Sequence, residues 1–272
     1  MKRIHIISGL IAAQFFVVGQ SNTTTPPNET RAFEPVENVD LPFKVGEKLE
    51  YNIRYGLIKA GEATLQVQKY TRRRGSSVYH MVGTGRTTGV TDWVFPTRDR
   101  YETYLDTSSL YPVEFIRDVD EDGYIIKRHI LFDQDEKTAR DLERDDDSVF
   151  SFENNMQDIF SAFYFARSMN VEGIEYGDII DIDVFLDHEH FPFKLKYMGT
   201  QTVELDDFSI NCMKFMPVVQ EGRVFKDEET MTIWVSNDKN RIPVRLESEL
   251  RVGSVKVDLT SYQNLAHRLN RR

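Results

Sequence analysis

Asp118-Val-Asp120-Glu-Asp122-Gly123 sets three carboxylates on alternate positions ahead of a glycine. A calcium loop begins this way, with oxygen ligands converging on a hard cation and the glycine making the turn. The twelfth position of such a loop supplies a bidentate glutamate, and here it is His129. Strand-like residues flank the run where a calcium loop has helices, and Asp122-Gly123 is itself a hairpin signal, so an acidic hairpin turn is expected. His188-Glu189-His190 is the transition-metal candidate, because two histidines two apart on a strand face the same way and would share a zinc. Its further ligands would have to come from His80 or His129. A solvated turn between strands ending near Asp187 and starting near Phe191 is the preferred reading, and no metal or other cofactor is expected.

Gly83-Thr-Gly85-Arg-Thr-Thr-Gly89 has the look of a phosphate cradle but not its spacing, and no helical pattern follows the last glycine. Glycines interrupting a strand mark bulges or close backbone approaches. Hydrolysis lacks a signature: there is no G-x-S-x-G elbow, and the single cysteine, Cys212, has no neighbouring histidine and sits in a strand-like run that buries it. Two carboxylates from anywhere in the chain would serve a glycosidase, so a hydrolase stays as an alternative behind non-catalytic readings.

The aromatics point elsewhere. Trp93 and Phe95 lie in Asp92-Trp-Val-Phe-Pro96, a connecting segment after the glycine-rich strand end, where such side chains plug the end of a curved sheet or meet a ligand. A ligand pocket is expected where they join Phe160 and Phe163 of a helix and the inward tyrosines Tyr51 and Tyr55.

These side chains need elements to hold them. In Phe43–Val67 the residues Leu49, Tyr51, Ile53 and Tyr55 alternate with Glu50, Asn52 and Arg54, then Ala63, Leu65 and Val67 alternate with Thr64 and Gln66. This is the period of two of a half-buried antiparallel hairpin. Similar runs fall near 48–55, 61–69, 77–86, 98–106, 111–119, 124–132, 179–187, 192–199, 209–219, 229–236, 242–250 and 252–262, with turns at Asp122-Gly123, at Asn237 to Asn240 and at Gly253. Asn154–Met169 breaks the pattern. Met156, Ile159, Phe160, Phe163 and Ala166 recur at helical spacing behind a cap at Asn154 or Asn155. The expected fold is mainly β: a large curved antiparallel sheet, open-barrel-like, or two tandem sheets, carrying one main amphipathic helix.

At the N-terminus, Lys2 and Arg3 precede an apolar Ile4–Val18 and small or polar Gly19, Gln20 and Ser21, which reads as a signal peptide over 1–20. Residues 21–40 read as a flexible lead-in, with Asn-x-Thr sequons at Asn22 and Asn28. A single β-rich domain is expected over 41–265, with a division into two sheet halves near 150–178 as its variant. No later segment is apolar for the ~20 residues a membrane helix needs. Removing residues 1–20 leaves 32 basic against 44 acidic side chains, a net charge of −12 from −10, which argues against a nucleic-acid or anionic-membrane surface. One cysteine cannot form an internal disulfide, in keeping with an exported chain that avoids the residue.

Three blocks, VGEKLEYNIRYGLIKAGEATLQV, QDIFSAFYFARSM and IWVSNDKNRIPVRLESELRVGSVKVDLTSY, resemble the bacterial exported proteins of domain of unknown function 3108, over about Phe43 to Tyr262. The resemblance implies an extracytoplasmic, β-rich domain of the periplasm or cell envelope and supplies no catalytic residues. Fold and leader together suggest a non-catalytic envelope protein binding an apolar, amphiphilic or glycan ligand. The alternative is a structural module docking another envelope protein.

Overall fold

The computed structural model describes residues 40–218, 231–250 and 253–271. The expected leader over 1–20, the expected lead-in as far as residue 39 and both sequons lie outside them. Among the described residues fourteen strands form one antiparallel sheet: β1 (Lys48–Tyr55), β2 (Ile58–Arg73), β3 (Ser76–Thr87), β4 (Thr97–Asp106), β5 (Pro112–Glu121), β6 (Tyr124–Asp133), β7 (Thr138–Asp141), β8 (Val149–Ser151), β9 (Ile179–Leu186), β10 (Glu189–Glu204), β11 (Ser209–Pro217), β12 (Met231–Ser236), β13 (Pro243–Glu249) and β14 (Ser254–Gln263). Two meanders, β1 to β8 and β9 to β14, are joined where β1 pairs with β14 (Leu49 opposite Tyr262, Ile53 opposite Val257). The expected single antiparallel sheet is therefore present rather than two tandem sheets, and its two meanders divide between Ser151 and Ile179.

Alternation explains which face is inside. Leu49, Tyr51 and Ile53 are buried while Lys48, Glu50 and Asn52 point outward, and β2 repeats this with Ala63, Leu65 and Val67. Turn chemistry sets the register. Asp122 and Gly123 (φ 51° and 84°), and again Asp187 and His188 (φ 45° and 72°), form two-residue connections in the left-handed region, whose twist suits a hairpin.

The sheet curls until its edge strands, β8 and β9, approach without pairing. Side chains close this seam. Phe185 of β9 packs among Phe132, Phe150 and Phe152 at ring-centroid distances of 5.8, 5.9 and 6.4 Å. At the β9–β10 turn, His188 Nε2 lies 2.8 Å from the buried Asp141 carboxylate. Burial alone would raise the Asp141 carboxyl, yet that bond and the N–H groups of His129 and Glu143 hold it below its ordinary value. The incoming chain adds backbone bonds: Gln157 N–H donates to Asp183 O and Phe185 N–H to Gln157 O, at 2.8 and 2.7 Å.

That bridging shortens the helix. The expected helix over Asn154–Met169 is only α2 (Ser161–Ser168), because Met156 and Gln157 spend their backbone groups on Gln134 and β9. Asp158 replaces the expected asparagine cap: its carboxylate accepts from the N–H of Phe160 and Ser161 at 2.7 and 2.8 Å and from the Thr103 hydroxyl of β4 at 2.6 Å. Asp158→Ala strands three buried donors and should cost about 3 kcal/mol or more in a urea titration. A loss below about 1 kcal/mol would show that Asp158 does not anchor the helix.

Three further elements depart from the expectation. The strands β7 and β8, four and three residues long, are too short to show an alternating apolar signal, and the segment that begins at Gly89 contains a six-residue helix, α1 (Gly89–Val94).

Candidate functional site

α2 lies against the concave face with Ser161, Ala162, Tyr164, Phe165, Arg167 and Ser168 buried. Its anchor is an ion pair in the core. Arg167 (3 % exposed) donates from Nη1 and Nη2 to both oxygens of Glu47 (1 % exposed) at 2.7 and 2.9 Å, and its remaining bonds go to the Pro42 and Asn240 carbonyls. Tyr164, wholly buried, packs edge-on to Phe43 and Phe160. Gly83 permits this fit: a Cβ there would stand 2.8 Å from Phe160 Cε2, so the glycine serves a close approach as its place in the strand suggested.

The helix does not fill the interior. Between it and the sheet lies a cavity of about 190 Å³, bordered by Phe160, Phe163 and Ala166 on the helix side and by Tyr51, Leu65, Phe193, Phe215, Leu246 and Val257 among others on the sheet side. A water needs only about 10–15 Å³ by this kind of measure, so the space exceeds a packing defect. Phe163, Phe193, Ile233 and Leu246 border it and are half-buried, packed against the core around it. Among the described residues the wall is mostly apolar. Near β3 and β4 are Arg86, Thr97 and Asp99; the Thr97 hydroxyl and one Asp99 oxygen are buried without a hydrogen-bond partner among the described residues. Burial pushes the Asp99 carboxyl up to about 6, against the pull of Arg117. At the other end Arg241, Val171 and Met213 border both this cavity and an outer cleft.

Three of the six aromatic residues picked out in the sequence, Tyr51, Phe160 and Phe163, border the cavity. Tyr51 donates its hydroxyl to Pro243 O at 3.1 Å. Tyr55 instead packs on Gly253, its ring 3.1 Å from where a Cβ would be. Trp93 is 87 % exposed on α1, and Phe95 ends that helix, its N–H bonded to Thr91 O. Neither reaches the cavity, because α1 turns the segment outward.

The metal candidates separate as well. His188 turns to Asp141 and His190 to Asp183 (2.6 Å), and Asp120 accepts the Gly123 N–H within the hairpin. Among the described residues no group of three or more His, Cys, Asp or Glu side chains converges on a metal position. Cys212 is buried and its thiol pushed up to about 12, so it stays protonated.

Around the β3–β4 end runs an apolar rim. The β1–β2, β3–β4, β5–β6 and β13–β14 connections meet there, tied by Gly56 N–H to Ser254 O, Thr88 N–H to Ala60 O and Asp122 N–H to Pro96 O. Leu57 (102 %), Ile58, Val90, Trp93, Val94, Tyr124 and Ile125 all stand exposed on it. The charged and rim residues escaped sequence reasoning; only Arg167, a charge within the apolar Phe163-Tyr-Phe-Ala-Arg-Ser-Met169, carried a local signal.

A curled antiparallel sheet with an internal helix and an apolar cavity defines a β-barrel-like protein. The same class includes a Brucella abortus β-barrel-like protein of domain of unknown function DUF1849, whose crystal structure superposes with a TM-score of 0.54 at 10 % identity over 80 % of this chain and 97 % of that one. A DUF1089 family protein from Pseudomonas aeruginosa aligns with a TM-score of 0.40 at 14 % identity, over 79 % and 95 %. No curated protein matches. The chain belongs to the family "Protein of unknown function (DUF3108)", whose model matches residues 50–260. No helix among the described residues is long and apolar enough to cross a membrane.

Proposed function

We propose that this is an exported protein of the periplasm or cell envelope that binds an apolar or amphiphilic molecule, or the apolar face of a glycan, without catalysing a reaction. The single observation that carries this reading is the apolar cavity beside α2, bordered by the half-buried Phe163, Phe193, Ile233 and Leu246. The leader-like residues 1–20 and the absence of disulfide-forming cysteine pairs support the location. Native mass spectrometry of protein isolated from its own envelope should show added mass that organic extraction removes. A bare polypeptide mass, together with no uptake of apolar probes by the purified protein, would overturn the reading.

The exposed rim of Leu57, Val90, Trp93, Val94, Tyr124 and Ile125 favours a second reading, a module that docks another envelope protein. In that case the same spectra would show a second polypeptide.

A further inference from the structure

The charges bordering the cavity are biased in sign. Among the described residues four are arginines, Arg86, Arg167, Arg241 and Arg245, and one is Asp99, in a chain whose net charge is −10. Three of the arginines are neutralised: Arg86 by Glu62 at 3.1 Å, Arg167 by Glu47, and Arg245 by Asp258. Arg241 is different. It stands in the turn between β12 and β13 with φ 46°, a left-handed conformation that costs a side-chain-bearing residue energy. Of its side-chain donors only Nη1 is used, on the Arg167 carbonyl at 2.8 Å. Among the described residues no carboxylate lies within ion-pair distance of its guanidinium.

The acids nearest to it have other work. Asp40 is held by Lys239 at 2.7 Å and by His267 at 3.6 Å. Asp238 accepts the Ser236 hydroxyl and the N–H groups of Asn240 and Asn270. Burial and the adjacent Arg167 charge both disfavour protonation of Arg241. An anion placed beside it on the cavity side would relieve both; Val171 and Met213, which border the cavity and the outer cleft together with Arg241, are apolar, and the acids Asp40, Glu172 and Asp238 line the outer cleft.

We infer that the cavity takes a single-chain amphiphile with an anionic head, a carboxylate or a phosphate, the head held by Arg241 and the alkyl chain lying among Phe163, Phe193, Phe215 and Leu246. The inference rests on the proposed ligand-binding reading and adds the chemistry of the head. Charge-assisted bonds exceed neutral ones, and more so in apolar surroundings.

The test is calorimetric titration of the full mature chain at pH 8 with decanoate, decyl phosphate and decan-1-ol, which share one tail. At least one anion should bind about tenfold or more tightly than the alcohol, and which anion wins identifies the head. Arg241→Gln should remove that preference while the affinity for decan-1-ol stays unchanged, which also reports that the variant's cavity is intact. Equal binding of all three ligands by the wild-type protein, or equal weakening of all three in the variant, would overturn the assignment of the head and leave the cavity reading standing. If none of the three binds, both readings fall. The wild-type comparison decides the matter even if the variant does not fold.

Discussion

Glu47→Ala lowers the melting temperature by roughly 6–20 °C, because it leaves the Arg167 guanidinium buried without its counter-charge. Removing one partner of a buried pair costs about 3–5 kcal/mol, and a domain of this size loses about 2–4 °C for each kcal/mol. The loss is a large share of the ~5–15 kcal/mol that holds a typical domain folded. It is severe here because Arg167 ties four parts of the chain together: α2 itself, Glu47 before β1, Pro42 ahead of it and Asn240 in the β12–β13 turn. Phe43 and Tyr164 flank its charge, with ring centroids 5.8 and 5.4 Å away. Thermal unfolding followed by circular dichroism measures the effect. A double replacement, Glu47→Leu with Arg167→Met, should recover most of the loss, since two apolar side chains leave no charge unsatisfied. A drop of under 3 °C for Glu47→Ala would mean that water reaches the pair.

Leu246→Trp should abolish most ligand uptake with the fold intact. Leu246 lies on β13 opposite Ile233 and Val257, both of which border the same cavity, and is half-buried, packed against the core on one side and bordering the cavity on the other. A tryptophan directed there takes up volume that a ligand chain needs. Overpacking of a full core costs about 1–3 kcal/mol; into an existing space the cost is smaller. Uptake of a neutral fluorescent apolar probe should fall at least tenfold, which is about 1.4 kcal/mol of binding free energy, with the melting temperature within a few degrees of wild type. Val90→Ser, on the rim and away from the cavity, should leave uptake unchanged. The reverse pattern, in which the rim substitution matters and the cavity substitution does not, would move the function from the interior to the docking surface.

Local pattern carried the architecture. Leu49, Tyr51 and Ile53 alternate with polar residues whatever strand they pair with, and Asp122-Gly123 makes its turn from its own backbone preferences. The position of the interior aromatics Tyr51, Phe160 and Phe163 was legible for the same reason. Where a residue's conformation depended on a distant partner, pattern failed. Helical spacing over Met156 to Ala166 is real, yet Gln157 follows β9 because its backbone bonds to Asp183 and Phe185 outweigh one more turn of a helix. Trp93 resembled a pocket residue, but the short helix α1 turns it to solvent.

The sequence by itself determined that apolar residues recur every second position in a chain with one helical interruption, and hence that antiparallel strands shelter one face. Only the tertiary structure decided that β1 meets β14 from the far end of the chain, that Phe185, His188 and Asp141 close a seam without strand pairing, and that Arg167 finds Glu47 while Arg241 finds no acid among the described residues. The reason is physical. Alternation is written within a few residues, whereas the satisfaction of a buried charge depends on which groups, up to 120 positions apart in the case of Glu47 and Arg167, the curling of the sheet brings within about 3 Å.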